Sequence, residues 1–287
     1  MAEGDEFTFA PLGGVGEIGM NLSVYGFGNR RQRSWLAVDL GVSFGDEEHL
    51  PGIDTIMPDI SFLVQERKNL VGLVLTHAHE DHFGAIIDLW PRLKCPIYAT
   101  KFSAALFEAK CAAERNPPKI PVTVVPSGGR IELGPFTVSF TPSTHSKLLL
   151  GLAVPMDGEL SCEHLDALSP RAYRCGEVYG IRIDVAGVSF YHQGSANLID
   201  EAVRKQQIDV FLAGVAGRNF TPRYWSRILK LIEPKAIVPT HYDNFFVPLG
   251  DPLSFVSGAR LGELEEEIET VSTDFELVAL PRSRNAD

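Results

Sequence analysis

Val71-Gly72-Leu73-Val74-Leu75-Thr76-His77-Ala78-His79-Glu80-Asp81-His82 is the segment whose reading decides the fold. Its first five residues are an apolar run of the length of one buried strand. The residues after Thr76 pack three imidazoles and two carboxylates at the end of that strand. Borderline-soft and hard donors gathered at one point are what a zinc site with an open coordination position requires. The first expectation is a metal-dependent hydrolase.

Working outward, the chain has 287 residues, 45% of them hydrophobic and 9% aromatic, the composition of a globular protein that can bury a large core. Its 26 basic and 37 acidic residues give a formal charge of -11, which supplies no global attraction for polyanions. RNA is therefore a disfavoured partner, though a local basic channel would still admit it. Cys95, Cys111, Cys162 and Cys175 are scattered without a C-x-x-C pair. The N-terminus, Met1-Ala2-Glu3-Gly4-Asp5-Glu6, is acidic, and no apolar run approaches the ~18 residues of a membrane span. A reduced, cytoplasmic enzyme with no membrane partner is expected, and a homo-oligomer is left open.

Before the histidine cluster, Phe7-Thr8-Phe9-Ala10, Asn21-Leu22-Ser23-Val24-Tyr25 and Trp35-Leu36-Ala37-Val38-Asp39 read as meander strands between glycine turns. After it, strand and helix alternate. Ile86, Ile87, Leu89, Trp90 and Leu93 mark a helical face, residues 96–99 a strand, 102–113 a helix, and 122–125 and 136–140 strands. The second half repeats the plan. Residues 178–185 and 188–191 form a hairpin around Ala186-Gly187, followed by a helix carrying Leu198, Ile199, Ala202 and Val203. A strand at 209–213 precedes a helix opened by Thr221-Pro222 as N-cap and first-turn proline. A strand at 236–239 ends at His241, and Leu261, Leu264, Ile268 and Val271 space a last helix before a strand at 275–280. Two similar halves predict two packed sheets with outer helices, in one domain over residues 1–287. The long connection 156–176, with Glu163 and His164, is a candidate active-site lid.

Gly14-Val15-Gly16-Glu17-Ile18-Gly19 matches G-x-G-x-x-G, with Asp39 twenty residues beyond. A dinucleotide site needs a helix to open at those glycines, and the alternation after Gly19 reads as strand instead. A tight turn between strands is the better account. The histidine cluster gains weight from His145, in Thr141-Pro142-Ser143-Thr144-His145-Ser146, and from His241, in Val238-Pro239-Thr240-His241-Tyr242-Asp243. Both follow strand-like runs. Strands of one sheet that deliver their ends to one edge would bring them to the cluster.

With these motifs in this order, the chain resembles the metallo-β-lactamase superfamily over nearly its whole length. The resemblance implies an α/β fold (α+β in some schemes), a four-layer αββα sandwich. Through residues 13–21, Val38-Asp39, Gly52-Ile53-Asp54, Pro58-Asp59-Ile60 and Thr76 to Ala85, the first half is similar to ribonuclease J of the beta-CASP group. Carried over by motif, His77, His79 and His145 would bind one metal and Asp81, His82 and His241 a second, with Asp39 as a buried carboxylate that supports the loop. Zinc is the implied ion, with manganese or iron as alternatives.

Two departures qualify the resemblance. Where the family has Gly-Asp, with the carboxylate bridging both ions, this chain has His192-Gln193-Gly194-Ser195. A serine hydroxyl brings neither the charge nor the second oxygen, so one firm metal position and a weaker neighbour are expected. Ser195 or Asn197 can instead cap the next helix, and His192 can be a substitute ligand, a proton donor or a hydrogen-bonded core histidine. Only 45 residues separate Ser195 from His241, too few for the RNA-clamping domain of the beta-CASP nucleases. The implied chemistry is attack by a zinc-activated water on an ester, lactone, thioester or phosphodiester. Asp81 would orient the water or take its proton, and His241 would bind the second ion or meet the developing oxyanion. A ribonuclease J-like nuclease and a non-catalytic binding protein with an impaired site are the alternatives.

Overall fold

The computed structural model describes residues 4–45, 52–115, 118–146, 176–243, 252, 255 and 261–280. β1 (Glu6–Gly13), β2 (Leu22–Asn29) and β3 (Gln32–Val38) form the expected antiparallel meander. β4 (Ser43–Phe44) and β5 (Thr55–Ile56) make a small ladder of their own. After α1 (Ser61–Gln65), β6 (Leu70–Val74) joins the sheet parallel to β3. Then α2 (Glu80–Phe83), α3 (Ile86–Leu93), β7 (Ile97–Ala99), α4 (Lys101–Ala113) and β8 (Val122–Val124) alternate helix with parallel strand. The order of this sheet is β1-β2-β3-β6-β7-β8.

The second sheet begins with β9 (Arg130–Leu133) and β10 (Phe136–Ser143), and continues with the hairpin β11 (Val178–Val185) and β12 (Val188–Gln193). β13 (Ile208–Gly214), α5 (Tyr224–Ile232), β14 (Pro234–Thr240), α6 (Leu264–Glu269) and β15 (Glu276–Leu277) complete it. Its order is β15-β14-β13-β12-β11-β10-β9, with β12 through β15 parallel.

Period-two alternation sends each strand's side chains to two different cores. Leu36, Val38 and Val74 of the first sheet meet Phe136, Phe140, Ile181 and Leu212 of the second between the sheets. On the outer face of the first sheet, Ala37, Leu73 and Ile97 pack with Leu63, Ile86 and Phe102 from its helices. On the outer face of the second, Phe211 and Ile237 pack with Trp225, Ile228 and Ile268. The result is the four-layer αββα sandwich.

Three local expectations are corrected. Residues 198–203 form turns and no helix. The Arg227 guanidinium donates to the Leu198 carbonyl and the Asp200 carboxylate, while Asn197 Oδ1 accepts from the Leu198 N–H, and these bonds hold the segment as turns. Ser195 and Asn197 therefore cap no helix. Thr221 does not cap α5 either, because its hydroxyl donates to the Ala196 carbonyl at 2.6 Å and Arg223, in a left-handed conformation, separates it from the first helical turn. The last helix and strand are shorter than their apolar spacing suggests. The segment 147–175, which holds most of the candidate lid with Glu163 and His164, lies outside the described residues. Among the described residues, no helix is long and apolar enough to cross a membrane.

Phe136 is 0% exposed at the contact between the sheets. Phe136→Ala should cost about 3–5 kcal/mol in denaturant unfolding. A loss below about 1 kcal/mol would contradict its place in the inter-sheet core.

Candidate metal centre

The strand ends of both sheets meet at one rim, where the expectation had been the ends of a single sheet. β3 runs into Asp39 and β6 into Thr76-His77, while β10 ends just before His145, β12 just before Gly194-Ser195 and β14 just before His241. α2 then carries Asp81 and His82 in its first turn. This brings together His77, His79 and His145 in one group and Asp81, His82 and His241 in a second, with donor atoms within 4.8 Å of one another in each. The His77 and His82 rings, 4.2 Å apart between centroids, join the two groups.

Four of the five rings are held from behind. Asp39 Oδ1 accepts from the Thr76 N–H at 2.8 Å, and its Oδ2 accepts from the Thr76 hydroxyl at 2.8 Å and from His82 Nδ1–H at 2.7 Å. With its proton given to Asp39, the Thr76 hydroxyl accepts from His77 Nδ1–H at 2.9 Å. His145 Nδ1–H donates to the Ser146 carbonyl at 2.7 Å and His241 Nδ1–H to the Ile18 carbonyl at 2.6 Å. These bonds place the Nδ1 proton of His77, His82, His145 and His241 away from the centre and leave their Nε2 atoms toward it. Among the described residues, the buried Nε2 atoms of His77 and His79 have no hydrogen-bond partner, and that of His82 faces only the Asp81 carboxylate, at 3.3 Å. Buried polar atoms are rarely left so, and a cluster of imidazole nitrogens beside a carboxylate has the donor set of a divalent metal site. The residues therefore fit a metal.

The electrostatics differ between the groups. Burial, reinforced by the neighbouring imidazoles, pushes His77 and His79 well below the usual 6.5, so both are neutral bases. Burial likewise lowers His241 to about 4, against the pull of Asp81. For His82, burial also favours the neutral form, but the carboxylates of Asp81 and Asp39 outweigh it and raise the imidazole to about 10. Burial disfavours the charged form of Asp81, yet His82 at 3.3 Å and His241 at 3.8 Å hold the carboxyl well below its usual range.

Asp39 lies in the second layer behind His82, not among the facing donors. His192 belongs to neither group. It is buried with Nδ1 2.8 Å from the Tyr25 hydroxyl, and burial lowers it to about 4. The Ser195 hydroxyl accepts from the Ser146 N–H at 2.9 Å and donates to the Ser146 hydroxyl at 3.2 Å, steadying the residue whose carbonyl orients His145.

Several contributors escape the sequence reading. Asn21 Nδ2 donates to the Ile18 and Asp81 carbonyls, each at 3.0 Å, and ties the glycine loop to α2. The G-x-G-x-x-G segment carries no helix; its Gly14 and Ile18 carbonyls hold the backbone and ring of His241. At Gly41 a Cβ would lie 1.7 Å from the Asp81 carbonyl oxygen, so only glycine lets the loop after β3 approach the cluster this closely. Asn21 and Gly41 were visible as residues, but the Asp81 carbonyl that both approach lies 60 positions from Asn21.

Residues 51–242 match the Beta-lactamase superfamily domain, and the chain belongs to that superfamily. Its fold and centre are those of a metallo-hydrolase. Over 146 residues it is 51% identical to ribonuclease J of Sinorhizobium meliloti, an alignment covering 51% of this chain and 26% of the relative. Ribonuclease J of Corynebacterium glutamicum is 40% identical over 145 residues, 50% of this chain and 19% of the relative. The chain thus spans about a quarter or less of the length of these curated relatives. Among solved structures, the metallo-beta-lactamase fold protein YhfI from Bacillus subtilis superimposes with a TM-score of 0.58 at 16% identity, covering 96% of this chain and 97% of that one. Zn(2+)-bound PqqB from Methylobacterium extorquens gives 0.52 at 13% identity, covering 89% and 84%.

Asp39→Ala would leave three buried donors unanswered and should cost about 3–5 kcal/mol of stability. It should also weaken metal binding about 10–100-fold by titration calorimetry. A second expectation concerns pH. His192 and His241 have folded values of about 4 against 6.5, so between these limits the unfolded chain binds more protons and stability must fall as pH falls. His82, raised to about 10, contributes stability that is full below 6.5 and is lost as pH rises through 10. Metal-free protein in chelator should therefore lose a few kcal/mol of unfolding free energy between about pH 7 and pH 4.5. A flat profile there would show that the two rings are not buried as neutral groups.

Proposed function

We propose that the chain is a zinc-dependent hydrolase with a small phosphodiester as its favoured substrate, within a wider set of esters, lactones and thioesters. One observation carries the reading: among the described residues the buried Nε2 atoms of His77 and His79 converge without hydrogen-bond partners and that of His82 faces only the Asp81 carboxylate, while the opposite nitrogens of His77 and His82 are pinned to a network ending on one carboxylate. His77, His79 and His145 would hold the firm metal position, and Asp81, His82 and His241 the weaker one. When bound, the metal supplies a water acidified to near neutrality and a Lewis acid for the oxygen under attack.

The chain's own groups divide the remaining work. Asp81, kept ionised by His82 and His241, would orient the attacking water through its carboxylate. His241 gives its Nδ1 proton to Ile18 and is neutral, so its Nε2 offers a lone pair and no hydrogen. It is a ligand for a second ion and not the oxyanion donor that its position suggested. His82 keeps a proton on the nitrogen facing Asp81 when the second position is empty, and a second ion would have to displace it. No carboxylate stands at Ser195 to bridge two ions, which supports unequal affinities.

RNA is a second reading, favoured by the 51% identity to a ribonuclease J across the half that carries the histidine cluster. The short span from Ser195 to His241 and the charge of -11 favour a smaller substrate. The deciding experiment measures metal per chain together with hydrolysis of a bis-aryl phosphodiester, an ester and single-stranded RNA. Wild type should hold at least one ion and cleave the phosphodiester, and Asp81→Ala should keep that ion while losing about 10²–10⁴-fold in kcat. Fewer than about 0.2 ions per chain after zinc supplementation would defeat the reading, given the tight binding expected of several converging ligands. Preferential cleavage of RNA would select the second. Ser195→Asp should raise occupancy of the weaker position, and no rise would mean that residue 195 is not where the bridge belongs.

A further inference from the structure

The end of the first sheet remote from the centre carries a cavity of about 350 Å³ lined by Arg30, Arg31, Arg33, Trp35, Glu66 and Asn69. Three guanidinium groups around one cavity are unexpected in a chain of net charge -11. The tight turn between β2 and β3 puts Arg30 and Arg31 at its tip, and Asn29 Oδ1 fixes that turn by accepting from the Arg31 and Gln32 N–H groups at 2.9 and 3.0 Å. Both arginines are exposed, and neither guanidinium has an ion pair or hydrogen bond among the described residues. Arg33 is already oriented, donating to Thr8 at 2.8 Å and Glu6 at 2.9 Å with its guanidinium 5.7 Å from the centre of the Trp35 ring. Arg67 and Lys68 add charge from the adjoining turn, which a bond from the Trp35 N–H to the Asn69 carbonyl holds against β3.

The floor of the cavity is polar in a particular way. Glu66 Oε2 accepts from Trp35 Nε1 at 3.2 Å and from Asn69 Nδ2 at 3.0 Å, while Oε1 has no partner among the described residues. A plain inorganic anion would satisfy the arginines and be repelled by Glu66. A ligand that carries phosphate at one end and N–H donors at the other would satisfy both. The volume falls within the range of small-molecule sites. We propose that this cavity binds a nucleotide, with its phosphate on Arg30 and Arg31 and an N–H edge of its base on Glu66 Oε1. β3 runs six residues from Arg33 to Asp39, so on the order of 20 Å separates this site from the metal centre.

The test is calorimetric titration of the intact, metal-loaded protein with nucleoside 5′-monophosphates, pyrophosphate and a single-stranded RNA oligomer. Arg30→Ala with Arg31→Ala should weaken nucleotide binding at least ~10-fold, the scale of lost hydrogen bonds to charge. Because the turn is exposed, the thermal midpoint should not move. Glu66→Gln should weaken the nucleotide but leave pyrophosphate unchanged or tighter, since it replaces an acceptor by a donor and removes a repelling charge. No saturable binding up to about 1 mM would overturn the proposal. So would binding that survives the arginine changes and disappears in Asp81→Ala, which would put the ligand at the metal centre. RNA bound in preference to nucleotides would also overturn it, in favour of a simple polyanion surface.

Discussion

The buried carboxylate of Asp39 is the constraint on which the rest of the centre depends. Its two oxygens collect a backbone N–H, a hydroxyl and an imidazole N–H, and through the hydroxyl they also fix a second imidazole. Asp39 holds a left-handed backbone conformation, φ 62°, uncommon for a residue other than glycine. That conformation costs energy, and the three hydrogen bonds offset it. The same bonds determine which nitrogen of each ring is left for the interior. A single carboxylate thus sets ring orientation and tautomer, and joins Asp81 in raising the proton affinity of His82.

Much of the fold was legible because the strands obey simple rules. The apolar run before the histidines, the hairpin around Ala186-Gly187 and the alternation from Phe136 to Phe140 are each dictated by local period and turn chemistry. That His145 and His241 arrive at the same rim could be read from their positions just after strand-like runs. The sheet of origin could not. It depends on β10 and β14 packing against a partner sheet whose pairing no local window contains. The helix read at Leu198 to Val203 failed for a related reason. Its spacing was helical, but Arg227, more than twenty residues on, takes the carbonyl and carboxylate groups of that segment. The glycine loop shows the same limit. Its conformation as a turn was readable, whereas its contact with His241 spans most of the chain.

The two groups of donors are unequal in their surroundings as well as in their ligands. His77 and His79 are neutral bases with open lone pairs, ready for a cation without first losing a proton. In the other group, His82 and Asp81 already form an internal ion pair at 3.3 Å. A cation entering there must displace the proton that the two carboxylates hold on His82. Such a difference in surroundings would add to the asymmetry expected from Ser195.

The two sheets contribute to the rim in different proportions. The first supplies the cluster from His77 to His82 together with Asp39, while the second adds one histidine to each group of three. The second sheet's obligation to the centre is thus small: two strand ends at the right height, each bearing an imidazole. Such a division makes the two parts separable in descent. A lineage can retain one half nearly intact and rebuild the other around a new substrate, provided that those two histidines return to their places. Identity to ribonuclease J that runs for 146 residues is the trace such a history would leave.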